Sequence, residues 1–174
     1  MKVAVIGLGG ISATHITQWQ KLSVDLAAGS DISPEAVARA EEKGLQGYTD
    51  WRQMLDEIRP DAVSICTPPF LHREMAVECL QRGIHVLCEK PMAATLEDAE
   101  ALAAAAAQAK TKLMIAYCHR FHGPVMKLKE VLDTGILGRP VFFRGAFTGV
   151  IQFTTNHRAN LRMAGGGSLM DNGS

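Results

Sequence analysis

Five short apolar runs, at residues 2–6, 24–30, 61–66, 84–88 and 113–117, alternate along this chain with segments of helical period at 11–22, 34–43, 51–58, 71–82 and 95–110. A strand buried on both faces reads as a continuous apolar, β-branched run, and a parallel neighbour needs a helical crossover to bring the chain back to the same edge. The alternation therefore predicts an α/β fold, a doubly wound parallel sheet of Rossmann type. Local punctuation agrees with it. Ser33 can cap the second helix and Pro34 suits its first position, while Gly44 and Gly83 stand where helices end. The Ala-rich stretch 99–109 reads as a structural helix, because Ala has the highest helix propensity and lets a helix pack close to a sheet.

The pattern changes after Tyr117. A Gly123-Pro124 break, an amphipathic helix near 125–134, turns at Gly135 and Gly138 and a strongly β run from Val141 to Phe147 follow. Two units are expected: residues 1–120 as the parallel-sheet domain and 121–174 as the incomplete start of a second. The closing run, Gly165-Gly166-Gly167-Ser168-Leu169-Met170-Asp171-Asn172-Gly173-Ser174, reads as a chain stopping mid-element.

Composition excludes several classes of partner. Eighteen basic residues balance eighteen acidic ones, so nothing draws the chain electrostatically to nucleic acid or an anionic membrane. No apolar stretch reaches the roughly 18 residues of a membrane span. Met1 and Lys2 lead directly into a short apolar strand and then glycines, unlike a secretory leader, so a cytoplasmic location is expected. Cysteines at 66, 79, 88 and 118 form no C-x-x-C pair and no set at metal-ligand spacing. They read as reduced thiols, mostly in the core.

The residues that carry chemistry gather at predicted strand ends. The first strand runs into Gly7-Leu8-Gly9-Gly10-Ile11-Ser12 and then a helix, which brings backbone amides to the place where a pyrophosphate binds. Ser12 stands where a third glycine is usual. Asp31, just past the second strand, can accept hydrogen bonds from ribose hydroxyls; read otherwise, it caps a helix, and Asp25 is the weaker alternative. At the third strand end stands Cys66-Thr67-Pro68-Pro69-Phe70-Leu71-His72, a stiffened turn with Thr67 available for hydrogen bonding, His72 by itself being a surface or capping residue. At the fourth, Glu89 and Lys90 before Pro91 form either a cofactor contact and proton-transfer pair or an exposed ion pair. His85 and Cys88 are assigned to packing.

In succession, Gly7-Leu8-Gly9-Gly10-Ile11, Thr67-Pro68-Pro69 with His72, and Glu89-Lys90-Pro91 resemble the signatures of the Gfo/Idh/MocA oxidoreductases. Tyr117 with Arg120-Phe121, Gly135-Ile136-Leu137-Gly138-Arg139-Pro140 and Gly165-Gly166-Gly167-Ser168-Leu169-Met170-Asp171 extend the match to the end of the chain. The resemblance implies an N-terminal Rossmann domain and a C-terminal α/β domain that binds substrate and often builds a homo-oligomer. It implies hydride transfer between NAD or NADP and a sugar, polyol or related secondary alcohol, and Asp31, which would repel a 2′-phosphate, makes NAD the expected cofactor and NADP the lesser one. Lys90 and Asp171 take the catalytic positions. Gly7, Leu8, Gly9, Gly10, Ile11, Asp31, Thr67, Pro68, His72, Glu89, Lys90 and Arg120 take those around the cofactor. The family's catalytic histidine, shortly after the aspartate, would fall beyond Ser174, so cofactor binding without turnover is expected of this stretch. A non-catalytic NAD(P)-binding module and another Rossmann reductase, of biliverdin-reductase-like or imine-reducing type, are the alternatives.

Overall fold

A computed structural model describes residues 1–146, 158 and 160–172. Six parallel strands form one sheet: β1 (Lys2–Ile6), β2 (Asp25–Ser30), β3 (Gln46–Tyr48), β4 (Ala62–Ile65), β5 (His85–Cys88) and β6 (Leu113–Ile115). Their order is β3-β2-β1-β4-β5-β6. The chain winds outward from β1 to β3, returns to lay β4 on the other side of β1, and winds outward again. The point of reversal lies between β1 and β4, where the carboxyl ends of neighbouring strands part and a crevice opens.

Helices cover both faces. They are α1 (Ser12–Gln20), α2 (Pro34–Glu41), α3 (Trp51–Ile58), α4 (His72–Gln81) and α5 (Leu96–Gln108). Successive side chains of a strand point to opposite faces, and β1 shows the division. Ala4 and Ile6 join a core with Met54 and Leu55 of α3, Ala76 and Cys79 of α4 and Leu102 of α5. Val5 points the other way, to Ile16 of α1 and Val37 of α2. All three β1 residues are buried, which is why the strand reads as an unbroken apolar run. Ser33 accepts the Ala36 amide at 3.2 Å and caps α2 as expected.

The structure departs from the sequence reading at four places. β3, which pairs with β2 from Ala28↔Gln46 to Ser30↔Tyr48, has three residues and only one large apolar side chain, too little for periodicity to register. Its Gly47 is a close-approach glycine, since a Cβ there would run into the side chains of Val37 and Glu41 on α2. The expected strand at 141–147 is not a strand over residues 141–146. No neighbouring strand is available there among the described residues, and Val141, Phe142 and Phe143 stand exposed; Phe147 lies outside them. His85 does not pack inward: it is exposed on β5, and its Nδ1 accepts the Lys112 amide at 3.1 Å. The Gly-rich end contains two short helices, α7 (Leu161–Ala164) and α8 (Ser168–Asn172).

Between them and β6 in chain order comes α6 (Gly123–Asp133), with Pro124 in its first turn, so Gly123-Pro124 opens a helix. Its Val125, Met126, Leu128 and Leu132 are exposed. No helix among the described residues is long and apolar enough to cross a membrane. All four cysteines are free, Cys66, Cys79 and Cys88 buried and Cys118 exposed.

Candidate active site

The crevice at the carboxyl edge is a cleft of about 960 Å³, with the glycine turn, Asp31, the Thr67 loop, Glu89 and Lys90 on its walls and Asp171 at its far end. Its size is that of a small-molecule site.

Backbone geometry shapes the first wall. Gly7 has φ of +88°, and a Cβ there would stand 2.8 Å from the carbonyl carbon of Cys66 and 2.9 Å from Thr67 Cγ2. Only glycine accepts both the conformation and the contact. Gly9 and Gly10 differ, because a Cβ on either would meet no protein atom within 4 Å; both line the cleft, and their missing side chains leave room for a ligand. Ser12 is buried and its hydroxyl donates to the Gly9 carbonyl at 2.5 Å, so a small residue fits where the third glycine is usual. At the start of α1 the capping position, Ile11, has no side chain to accept a first-turn amide. The Ser12 and Thr14 amides turn to the Gly9 and Ile11 carbonyls at 3.1 and 3.0 Å, which leaves the neighbouring Gly10, Ile11 and Ala13 amides for an anion.

Asp31 joins the second wall to the first. Its Oδ2 accepts the Leu8 amide at 2.7 Å and its Oδ1 accepts the Ser33 amide at 2.9 Å. Each oxygen keeps a lone pair for a further donor. Asp25, by contrast, is exposed at the opposite end of β2. Beside Asp31, the buried Ser30 hydroxyl lines the cleft without a protein partner. Leu8 is buried in the core and contributes its amide alone.

The third wall is built from the loops after β4 and β5. His72, expected at the surface or beside the cofactor, is fully buried and does not line the cleft. Its Nδ1 lies 2.9 Å from the Pro91 carbonyl and its Nε2 lies 2.8 Å from the Thr67 carbonyl, so the ring sits wedged between the two loops. Burial pushes its pKa down, against the pull of those carbonyls. Thr67 turns its hydroxyl to the Met75 sulfur at 3.5 Å, and Pro68 lines the cleft.

Glu89 and Lys90 do not pair through their side chains. Glu89 Oε1 lies 2.9 Å from His15 Nε2 on α1, and Oε2 accepts the Lys90 amide at 3.1 Å. Burial alone would raise the Glu89 carboxyl, but the hydrogen bonds from His15 and the Lys90 amide hold it below its ordinary value. The Lys90 ammonium donates instead to Asp171, at 2.6 Å to its carbonyl oxygen and 2.9 Å to Oδ1. Arg158 Nε donates to Asp171 Oδ2 at 3.1 Å. Burial raises the Asp171 carboxyl, and these two cations more than reverse the effect. Lys90 and Asp171, 81 positions apart in sequence, thus meet in the cleft. Arg120 lies exposed on the 3-10 turn Cys118–Phe121, outside the cleft lining.

Sequence reading missed His15, Ser64, Trp19 and Arg158. The first three form a connected polar group, with the Trp19 indole N–H donating to Ser64 Oγ at 2.8 Å and His15 Nδ1 lying 3.1 Å from the same oxygen. A signal existed: Ser12, His15, Ile16 and Trp19 fall on the inward stripe of α1. Nothing in the polar stretch around Arg158 set it apart. No metal-binding group of three His, Cys, Asp or Glu occurs among the described residues.

Strand order, glycine turn and acidic residue together define a Rossmann dinucleotide-binding domain. The model of the Gfo/Idh/MocA oxidoreductases, NAD-binding Rossmann fold, matches residues 1–117, and the chain belongs to that family. It is 30% identical to myo-inositol 2-dehydrogenase of Thermotoga maritima over 147 residues, 83% of this chain and 44% of that protein. D-glucoside 3-dehydrogenase of Escherichia coli is 32% identical over a gapped alignment of 184 positions that covers 99% of this chain and 51% of that protein. Among solved structures, an NAD-binding oxidoreductase from Klebsiella pneumoniae superposes with a TM-score of 0.85 at 28% identity, over 98% of this chain and 49% of its own. The WlbA dehydrogenase of Chromobacterium violaceum, in complex with NADH and UDP-GlcNAcA, gives 0.76 at 32% identity, over 80% and 41%. The chain spans about half the length of the relatives it matches.

His72 makes a pH dependence expected. Its pKa is depressed in the folded state, so the folded form resists a proton that the unfolded chain takes up below about pH 6.5. The stabilisation is complete above that value and is lost as pH falls through it. In urea unfolding, free energy should decline from pH 7 to pH 5 by up to about 1.4 kcal/mol per unit from this residue, and His72→Gln should show a shallower decline. Equal slopes for parent and variant would assign the dependence to other groups.

Proposed function

We propose that this chain is the cofactor-binding part of an NAD-dependent dehydrogenase acting on a sugar, polyol or related secondary alcohol, with residues 121–174 opening its substrate domain. The observation that carries this reading is the meeting of Lys90 with Asp171 in the same cleft as the glycine turn and Asp31. A module that only bound a dinucleotide would have no use for an ammonium held at the end of the cleft away from Asp31.

The residues fit the cofactor. The Gly10, Ile11 and Ala13 amides and the open space over Gly9 receive a pyrophosphate, and Asp31 receives ribose hydroxyls. Bound there, the nicotinamide supplies a hydride acceptor or donor. Lys90 places a proton donor beside the oxygen of the reacting carbon, and Asp171 with Arg158 fixes that ammonium in place. The inositol and glucoside dehydrogenases among the relatives support the substrate class.

Asp31 supports NAD over NADP, since its carboxylate repels a 2′-phosphate and Ile32 and Ser33 bring no cation. Nearby Arg52 is engaged elsewhere: it stacks on Trp51 at 4.1 Å and binds Glu74 and Glu78 at 2.6 and 2.8 Å. Arg39, further along α2, is outside the cleft lining.

Two measurements test the reading. By titration calorimetry the chain should bind NADH, and should bind NADPH about tenfold more weakly or worse, the equivalent of about one pK unit from the like-charge contact. Gly9→Val, whose side chain would fill the open space, should abolish NADH binding while the protein stays folded; unchanged binding would remove the phosphate turn. In the whole protein, Lys90→Ala should lower turnover on the native substrate by about 10²-fold or more with NADH affinity within a few-fold. Near-normal turnover would leave Lys90 a structural partner of Asp171.

A further inference from the structure

Trp19, Ser64, His15 and Glu89 are linked end to end by hydrogen bonds that cross from helix α1 through strand β4 to the end of β5. The indole of Trp19 has an N–H and no acceptor, so it donates to Ser64 Oγ. Ser64 is fully buried, and the acceptor within reach of its own proton is His15 Nδ1. The Glu89 carboxylate accepts and cannot donate, so His15 Nε2 carries a proton toward it. One protonation pattern satisfies every atom: Trp19 N–H to Ser64, Ser64 O–H to His15 Nδ1, His15 Nε2–H to Glu89 Oε1. Of the four residues, Glu89 lines the cleft and the other three do not. A relay of three polar side chains, with Ser64 fully buried in the middle, therefore ends on one carboxylate oxygen of the residue that lines the ligand space.

Resting on the cofactor reading above, we propose that His15, oriented by Ser64 and Trp19, is a positioning residue that keeps Glu89 ionised in the cleft wall and thereby favours the oxidised dinucleotide over the reduced one. Asp31 and the glycine turn mark the ribose and phosphate parts of the cleft, which leaves Glu89 and Lys90 at the nicotinamide end. The oxidised ring is a cation and the reduced ring is neutral. A fixed carboxylate at that end stabilises the first and does little for the second.

The surroundings leave this role to Glu89. Lys90 is already shared with Asp171, which Arg158 also binds. The other titratable groups that act on Glu89 are His72, Cys66 and Cys88. Burial pushes both thiols up, so they stay uncharged near neutral pH, and it pushes the His72 imidazole down. Burial would also push the Glu89 carboxyl up, and the His15 hydrogen bond opposes it first, ahead of the Lys90 amide. Without His15 the carboxyl drifts toward its neutral form.

Dissociation constants for NAD+ and NADH, measured on the parent, His15→Ala, Glu89→Gln and the double variant, test the proposal. Glu89→Gln should lower affinity for NAD+ relative to NADH by about tenfold, the equivalent of one pK unit. His15→Ala should lower the same ratio, more at about pH 6 than at about pH 8, because a protonating carboxyl is its cause. Added to Glu89→Gln, it should change the ratio no further. His15→Gln, which keeps an N–H donor, should restore much of the ratio. A purely structural role predicts that His15→Ala weakens both forms equally, or shifts the ratio as much in the Glu89→Gln background; either result overturns the proposal. Nitrogen NMR of the His15 ring supplies a readout without cofactor, with Nε2 protonated, Nδ1 bare, and the pattern changed in Ser64→Ala. A ring protonated at Nδ1 alone also overturns it. A parent that binds neither dinucleotide overturns the cofactor reading itself, and with it any preference between the two forms, whatever the NMR shows of the network.

Discussion

Gly7 has to carry the chain out of the central strand within van der Waals reach of the neighbouring strand's exit. With φ of +88° and the Cys66 carbonyl carbon 2.8 Å from where a Cβ would stand, this turn is possible for glycine and strained for every other residue. The rest of the site hangs on it. Because β1 lies between β2 and β4, the turn above it sits at the reversal of strand order, and the same tight exit that lets β1 and β4 lie side by side aims the start of α1 into the crevice. Asp31 then holds the turn through the Leu8 amide, so the acidic residue at the end of β2 and the glycine loop at the end of β1 are one mechanical unit.

Three carboxylates share the cleft, and each is held by a different kind of partner. Backbone amides hold Asp31, an imidazole and an amide hold Glu89, and two cations hold Asp171. Like charges in one crevice would otherwise raise one another's pKa values. Distinct partners let Glu89 and Asp171 stay ionised in spite of burial, and they set the three carboxylates apart along the cleft. His72 lies below, between the Thr67 and Pro91 loops, with one ring nitrogen close to each loop's carbonyl.

Much of this was legible in the sequence, and for physical reasons. Strands buried on both faces leave unbroken apolar runs, so β1 and β4 could be read directly, and glycine at a strand end announces a turn that other residues cannot make. β3 could not be read, because a three-residue edge strand with a glycine at its centre has no period to detect. The run 141–146 misled for the opposite reason: β-propensity describes fitness for a sheet surface, and no neighbouring strand among the described residues takes it up there. At the site, local order revealed Gly7, Asp31, Glu89 and Lys90 but not their partners. Glu89 and Lys90 are adjacent in sequence, which suggested a pair; the chain turns their side chains to His15 and Asp171, 74 and 81 positions away. Contacts of that separation leave no trace in spacing.

The claim on which the account rests is that one cleft, from Asp31 to Lys90, receives a nicotinamide dinucleotide in a fixed direction. A crystal structure of the chain grown with NADH tests it most directly. The account predicts the pyrophosphate on the amides that open α1, the adenosine ribose on Asp31 and the nicotinamide beside Glu89 and Lys90. A dinucleotide bound in the reverse direction, or bound outside the cleft, would contradict it.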